Sequence, residues 1–329
     1  MEGSLDKGKL PPGVLARVLR EVASSSEVRL GPSIGEDAAA VEVGGGVLVV
    51  ASDPITLTGS ALGRYAVVIN ANDVAVMGVR PRWFLATVLL PPGTTVDDVE
   101  SLFGGLRDAT VQAGVILVGG HTEVTDAVGR PVVVGTMLGF AADGRFLSTS
   151  GAAPGDVVVQ VGAVPIEGAA VLATEARTRL SEVEPSVLDA ASRAASDPGI
   201  SVVEAALAAG GLGATALHDP TEGGLASGLH ELASASGVGL VVDRRGVLWF
   251  PPGVAVCEAL GADPWATIAS GAVVAVFSAE RADAAVDALN AAGHQAARIA
   301  TVVEGEGVHD RDGRPITWPE RDEVARVLT

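Results

Sequence analysis

The stretch His218-Asp219-Pro220-Thr221-Glu222-Gly223-Gly224-Leu225-Ala226 joins an acid, a proline, a hydroxyl and two glycines in one turn. A short apolar run, Ala214 to Leu217, leads in, and a helical pattern from Leu225 to Ala235 leads out. Proline fixes the approach, Thr221 is placed to cap the helix, and Gly223 and Gly224 leave amides bare at its start. Bare amides at a helix N-terminus attract anions. Asp219 beside them repels a phosphate unless a divalent cation lies between the two. Two readings stand: a metal-phosphate site, or an ordinary strand-to-helix turn built from common turn residues.

Three further segments place an acid at the edge of an element: Gly35-Glu36-Asp37-Ala38-Ala39, Ser52-Asp53-Pro54, and Asn70-Ala71-Asn72-Asp73 with Met77-Gly78 after it. Each acid also reads as a surface residue or a cap. Asp73 is the hardest to read that way, because it lies four residues after Ile69 on a largely apolar helix face. Carboxylates of this kind are hard oxygen ligands and suit Mg²⁺ better than zinc. Gly119-Gly120-His121-Thr122 reads as a strand-end loop that could lie against a phosphate, with His121 free to donate or transfer a proton, or as a tight turn with an exposed histidine. No P-loop lysine motif and no Gly-x-Ser-x-Gly elbow occurs. The single cysteine, Cys257, sits in an apolar helical pattern and reads as packing. Alone, it excludes an intrachain disulfide and a cysteine metal cluster. His230 reads as a solvated or packed side chain, and His294 and His309 have no ligand pattern around them.

These segments need elements to hold them. Period-2 and period-3.6 patterns give a helix after Pro12, paired strands at 38–43 and 47–51, and a long helix from Gly59-Ser60 to Met77. A strand at 84–90, a helix from Thr95 to Ala113, a short buried strand at 115–118 and a strand at 132–140 follow. After a Ser/Gly/Ala/Pro-rich boundary near 148–154 come a strand at 156–161 and helices at 166–180, 185–195 and 202–209. Beyond the central turn lie strands at 238–242, 272–277 and 297–303, and helices at 254–260, 264–269 and 279–291. A hairpin around Asp312-Gly313 and a short helix or tail over Glu320–Thr329 follow. Strands and helices alternate, yet several strand pairs are hairpins, so the expected class is α+β with mixed sheets. The 329 residues divide into two expected domains, 1–150 and 151–329. The net charge of -18 argues against nucleic acid and anionic membrane partners. No apolar run reaches the roughly 18 residues of a membrane span, and no signal core is evident, so a cytoplasmic location is expected.

In order, Gly35–Ala39, Asp53-Pro54, Val68–Pro81, Gly119–Val124 and His218–Ala226 resemble the AIR synthase (PurM-like) superfamily over about residues 10–305. Gly261-Ala262-Asp263-Pro264-Trp265 and His218–Ala226 look like the hydrogenase-maturation HypE branch. The resemblance implies a two-domain fold whose N-terminal sheet domain forms a homodimer and whose C-terminal domain closes an ATP cleft. It implies Mg²⁺ on Asp37, Asp53, Asp73 and Asp219, and ATP on Asn72, Gly119, Gly120, Thr122, Thr221, Gly223 and Gly224, with His121 as the catalytic candidate. Phosphate then passes from ATP to an acceptor that the sequence does not name. Alternatives are a HypE-like accessory protein, a small-molecule kinase similar to thiamine-monophosphate kinase, and a non-catalytic nucleotide binder. The chain ends Glu323–Thr329 without the terminal cysteine of the HypE branch, so thiocyanate formation on such a tail is not expected.

Overall fold

The computed structural model describes residues 10, 12–19, 24–33, 35–56 and 61–329. The expected helix start Gly59-Ser60 lies outside the described residues. The chain forms two compact units. The larger one holds helix α1 (Pro12–Leu19), Pro32–Glu36 and Leu147–Thr329; the smaller one holds Ser25–Gly31 and Asp37–Phe146.

The smaller unit is a sheet covered by helices. Its strands are β1 (Val28–Leu30), β2 (Ala39–Val43), β3 (Gly46–Ala51), β4 (Pro54–Ile55), β5 (Pro81–Leu90), β6 (Ile116–Val124) and β7 (Val132–Ala141). They lie in the order β1-β2-β3-β7-β5-β6, with β4 also on β7. All these pairs are antiparallel except β5 with β6, which a helical crossover joins. Residues 47, 49 and 51 of β3 and 133 and 137 of β7 alternate inward, as a one-sided sheet requires. Helices α2 (Leu62–Val76) and α3 (Val96–Ala113) cover it. Thr95 caps α3 through a reciprocal box: its hydroxyl accepts from the Asp98 amide at 3.2 Å, and the Asp98 carboxylate accepts from the Thr95 amide at 2.9 Å.

One expectation fails here. Residues 115–118 were expected as a short buried strand ending in a glycine loop. Instead, all nine residues of β6 are exposed, and Gly119, Gly120, His121 and Thr122 lie inside that strand, opposite Leu85, Ala86, Thr87 and Val88. Pairing with β5 overrides the turn preference of the glycines.

The larger unit carries β8 (Val157–Val161), α4 (Glu167–Glu175), α5 (Pro185–Arg193), α6 (Val203–Gly211), β9 (Ala216–His218), α7 (Gly224–Ser236), β10 (Gly239–Val242), α8 (Pro251–Leu260), β11 (Val273–Phe277), α9 (Ala279–Ala291), β12 (Ala296–Val303), β13 (Gly307–Asp310) and α10 (Glu323–Val327). Its sheet runs β13-β10-β12-β8-β11-β9, with β10 and β13 parallel. Every residue of β8 and β11 is buried. Leu225, Leu229 and Leu232 of α7 pack into the same core. The helix expected over 166–180 stops at Glu175. The helix expected over 264–269 is a single 3₁₀ turn, Pro264–Ala266, ended where Thr267 takes extended backbone angles. The hairpin around Asp312-Gly313 is present, closed by Asp310 N to Arg314 O at 2.8 Å and Ile316 N to Val308 O at 2.9 Å. The class is α+β with two mixed sheets. Among the described residues, no helix is long and apolar enough to cross a membrane.

Candidate functional site

In the smaller unit the candidate residues centre on α2. Most of this helix is buried on all sides, which suits Tyr65, Val67, Ile69 and Val74 but not the polar cluster near its end. Asn70 and Asn72 are 0 % exposed and Asp73 is 5 % exposed. Asn70 is occupied by structure. Its Oδ1 accepts from the Asp53 amide at 2.8 Å, and its Nδ2 donates to Ala66 O at 2.9 Å and to Asp53 O at 3.3 Å. Gly135 N also donates to Asp53 O, at 2.9 Å, and the Ser52 hydroxyl donates to Gly135 O at 2.8 Å. The Asp53 backbone is therefore clamped between α2 and β7 while the residue itself stays exposed. Asp37, just before β2, is half-buried. His121 is 65 % exposed on β6 and pairs with Glu123 at 3.3 Å, on the open edge of the sheet.

In the larger unit, β9 delivers His218 and Asp219, which are 3 % and 1 % exposed. The β9–β11 register, His218 opposite Val274, fixes their position. His218 Nε2 lies 2.9 Å from Glu231 Oε2 of α7 in a buried pair, so the carboxylate orients the imidazole. Glu36 reaches Thr149, whose amide donates to Glu36 Oε2 at 3.2 Å.

The central turn differs from its expected form. Thr221 does not cap α7; Gly223 occupies the cap position at φ 81°, and the Thr221 carbonyl accepts from Gly224 N at 3.0 Å and Ala269 N at 3.2 Å. Nor are the amides bare. Gly223 N donates to Asp322 Oδ2 at 2.7 Å, a partner 99 residues away. Gly224, at φ 66°, is the residue that fits: a Cβ there would meet Trp265 O at 2.5 Å and Thr267 O at 2.7 Å.

Around this turn lies an acid group that sequence reasoning missed. Glu167, at the start of α4, is 7 % exposed, and burial pushes its carboxyl up to about 7, with Asp322 and Glu222 adding to the rise and Ser270 opposing it. Asp322 is also raised, to about 6, by burial against the two amides that stabilise its charge, Gly223 and Val324. The only hint in the sequence is an acid inside the apolar run Val164-Pro165-Ile166-Glu167-Gly168. Cys257 is fully buried against Thr267, and burial pushes its thiol up to about 11, as a packing residue requires.

Residues 35–141 match AIR synthase related protein, N-terminal domain, and residues 153–312 match AIR synthase related protein, C-terminal domain; the chain belongs to this family. Among its relatives is the carbamoyl dehydratase HypE of Rhizobium leguminosarum bv. viciae, 31% identical over 308 residues, which span 89% of this chain and 86% of that protein. Among solved structures, a HypE–HypF complex superposes with a TM-score of 0.76 at 24% identity, over 92% of this chain and 98% of the other. HypE in complex with ATP superposes with a TM-score of 0.68 at 23% identity, over 95% and 91%. These two structural likenesses show the shared two-domain PurM-like fold.

Proposed function

We propose that this chain is a Mg²⁺-dependent, ATP-using enzyme related to HypE that passes phosphate from ATP to an acceptor group. The observation that carries the reading is the polar end of α2: Asn72 and Asp73 are buried, beside Asn70, at the end of a helix whose other buried residues are apolar apart from Tyr65. The ATP complex of a related fold supports the nucleotide. Asp37, Asp53 and Asp73 on the smaller unit and Asp219 on the larger each offer the hard carboxylate oxygens that suit Mg²⁺. Bound there, the ion would neutralise triphosphate charge. The chain's own residues do the positioning: Asn70 holds the Asp53 backbone, and Glu231 holds His218 next to Asp219. Gly223 N is engaged by Asp322, so phosphate contacts fall to other groups of the turn, such as the Thr221 hydroxyl. In this reading residues 1–150 carry the nucleotide and the dimer contact, and residues 151–329 the acceptor side.

A homodimer through β6 is part of the same reading. This edge strand exposes Ile116 at 63%, Val118 at 53% and Val124 at 60%, a row that an isolated sheet edge leaves open to pairing. Titration calorimetry of ATP with and without Mg²⁺ tests the nucleotide site. Binding that requires Mg²⁺ and drops at least tenfold in Asp73→Asn supports it; binding indifferent to both overturns it.

A further inference from the structure

The smaller unit holds a cavity that none of the residues assigned to nucleotide or Mg²⁺ borders. It measures about 500 Å³, within the range of small-molecule sites, and Arg80, Arg82, Trp83, Ile116 and Phe140 line it. The strand that carries Arg82 is bulged. Along β5 the register against β7 shifts between Pro81, opposite Gly139, and Trp83, opposite Leu138, so Arg82 is the extra residue. In an unbroken strand, Arg82 and Trp83 would point to opposite faces of the sheet. Here the bulge turns Arg82 across its neighbour, and its Cζ lies 4.7 Å from the centre of the Trp83 ring. Phe140 is seated on Gly46, where a Cβ would meet the Phe140 Cζ at 2.5 Å.

The Arg82 guanidinium is held by its face. Arg82 is exposed and, among the described residues, makes no ion pair. Elsewhere in this chain arginines face carboxylates, as Arg29, Arg145, Arg244, Arg298 and Arg326 do. An arginine laid on an aromatic ring keeps its edge N–H groups for an oxyanion and gives up little freedom on binding one. Arg80, on the rim of the same cavity, is already engaged within the chain. One open guanidinium beside Ile116 and Phe140 suits a single negative charge on an apolar body. A phosphate monoester carries about two charges near neutral pH, and a net charge of -18 opposes the second.

We propose that this cavity binds a small carboxylate with a ring-sized apolar body. The carboxylate meets the edge of the Arg82 guanidinium, whose fork matches its two oxygens, and the body lies against Ile116 and Phe140. Binding here is independent of the nucleotide reading, since neither Arg82 nor Phe140 is assigned to nucleotide or Mg²⁺.

Two measurements on the full chain test it. In crystals soaked with para-bromobenzoate, a bromine anomalous peak is expected in the cavity beside Phe140, and none in Arg82→Ala. In solution, fluorine NMR line broadening gives the dissociation constant of para-fluorobenzoate. It is expected to rise about tenfold in Arg82→Ala and by less in Arg82→Lys, which keeps the charge without the fork. The uncharged para-fluorobenzamide should bind the natural chain about tenfold more weakly than the benzoate. Because Arg82 lies on the surface, both variants should melt at the temperature of the natural chain. Equal binding of benzoate and benzamide, or benzoate affinity unchanged in Arg82→Ala, overturns the proposal. Tighter binding of phenyl phosphate than of benzoate overturns the carboxylate assignment. A bromine peak without binding in solution means binding at crystal concentration only and overturns it as well.

Discussion

Replacing Asn70 with alanine isolates the clamp that positions the loop of Asp53. The side chain makes three hydrogen bonds, two to the Asp53 backbone and one to Ala66 O. Two of the three carbonyl and amide partners have other relief: Asp53 O keeps Gly135 N at 2.9 Å, and Ala66 O remains within the helix. The Asp53 amide loses its partner, at about 1–3 kcal/mol if it stays dry. Because Asp53 is exposed, water reaches that amide and the cost falls in the lower half of the range. The small void left by a 0 % exposed side chain adds about 1 kcal/mol. The expected loss is therefore about 2 kcal/mol, read from urea unfolding with an unchanged m-value. Asn70→Asp should not rescue it, since a carboxylate oxygen would then be buried against the Ala66 and Asp53 carbonyl oxygens that Nδ2 now meets. A loss below about 0.5 kcal/mol would refute the view that Asn70 holds this loop, and full rescue by aspartate would show that only the Asp53 amide matters.

Further outcomes follow from the same structure. Stability should decline as pH rises from about 4 to about 7, because the folded values of Glu167 (about 7) and Asp322 (about 6) are raised and the folded state holds their protons more tightly. The Glu167 part is about 3 kcal/mol, and Glu167→Gln should remove the upper portion of the slope in a pH series of urea melts. Gly224→Ala should cost about 3 kcal/mol or more, since it meets Trp265 O and Thr267 O, while Gly237→Ala, with a similar φ of 65° and nothing within 4 Å, should cost about 1 kcal/mol; equal costs would mean that backbone strain alone decides. Val118→Lys on β6 should shift the chain from dimer to monomer in analytical ultracentrifugation without lowering its melting point; a dimer unchanged by the lysine would place the contact elsewhere.

Much of the frame was readable from pattern. The α2 helix, the hairpin of β2 and β3, and the His-Asp turn between β9 and α7 follow from local periodicity and turn chemistry. Asp73 was legible for the same reason, as an acid on an apolar face. The misreadings share another cause: each depends on a partner far along the chain. Gly119–Thr122 look like a loop until β5 is beside them. Gly223 looks like a bare anion site until Asp322 arrives from 99 residues away. Glu167 has no significance until Ser270, Glu222 and Asp322 surround it. Short strands such as β4 exist only because β7 accepts them, at Val133 and Val134.

The bond from Asp322 to Gly223 bears on where this molecule can be cut. The match to the C-terminal AIR synthase related domain ends at residue 312, and an excised domain drawn on that line would omit the residues after it. It would lack the carboxylate that closes the turn of α7, the α10 helix, and the Arg326 contact to Gly261 O at 2.6 Å. The last seventeen residues are thus a working part of the acidic turn, and their removal would first be felt at the start of α7 rather than at the chain end.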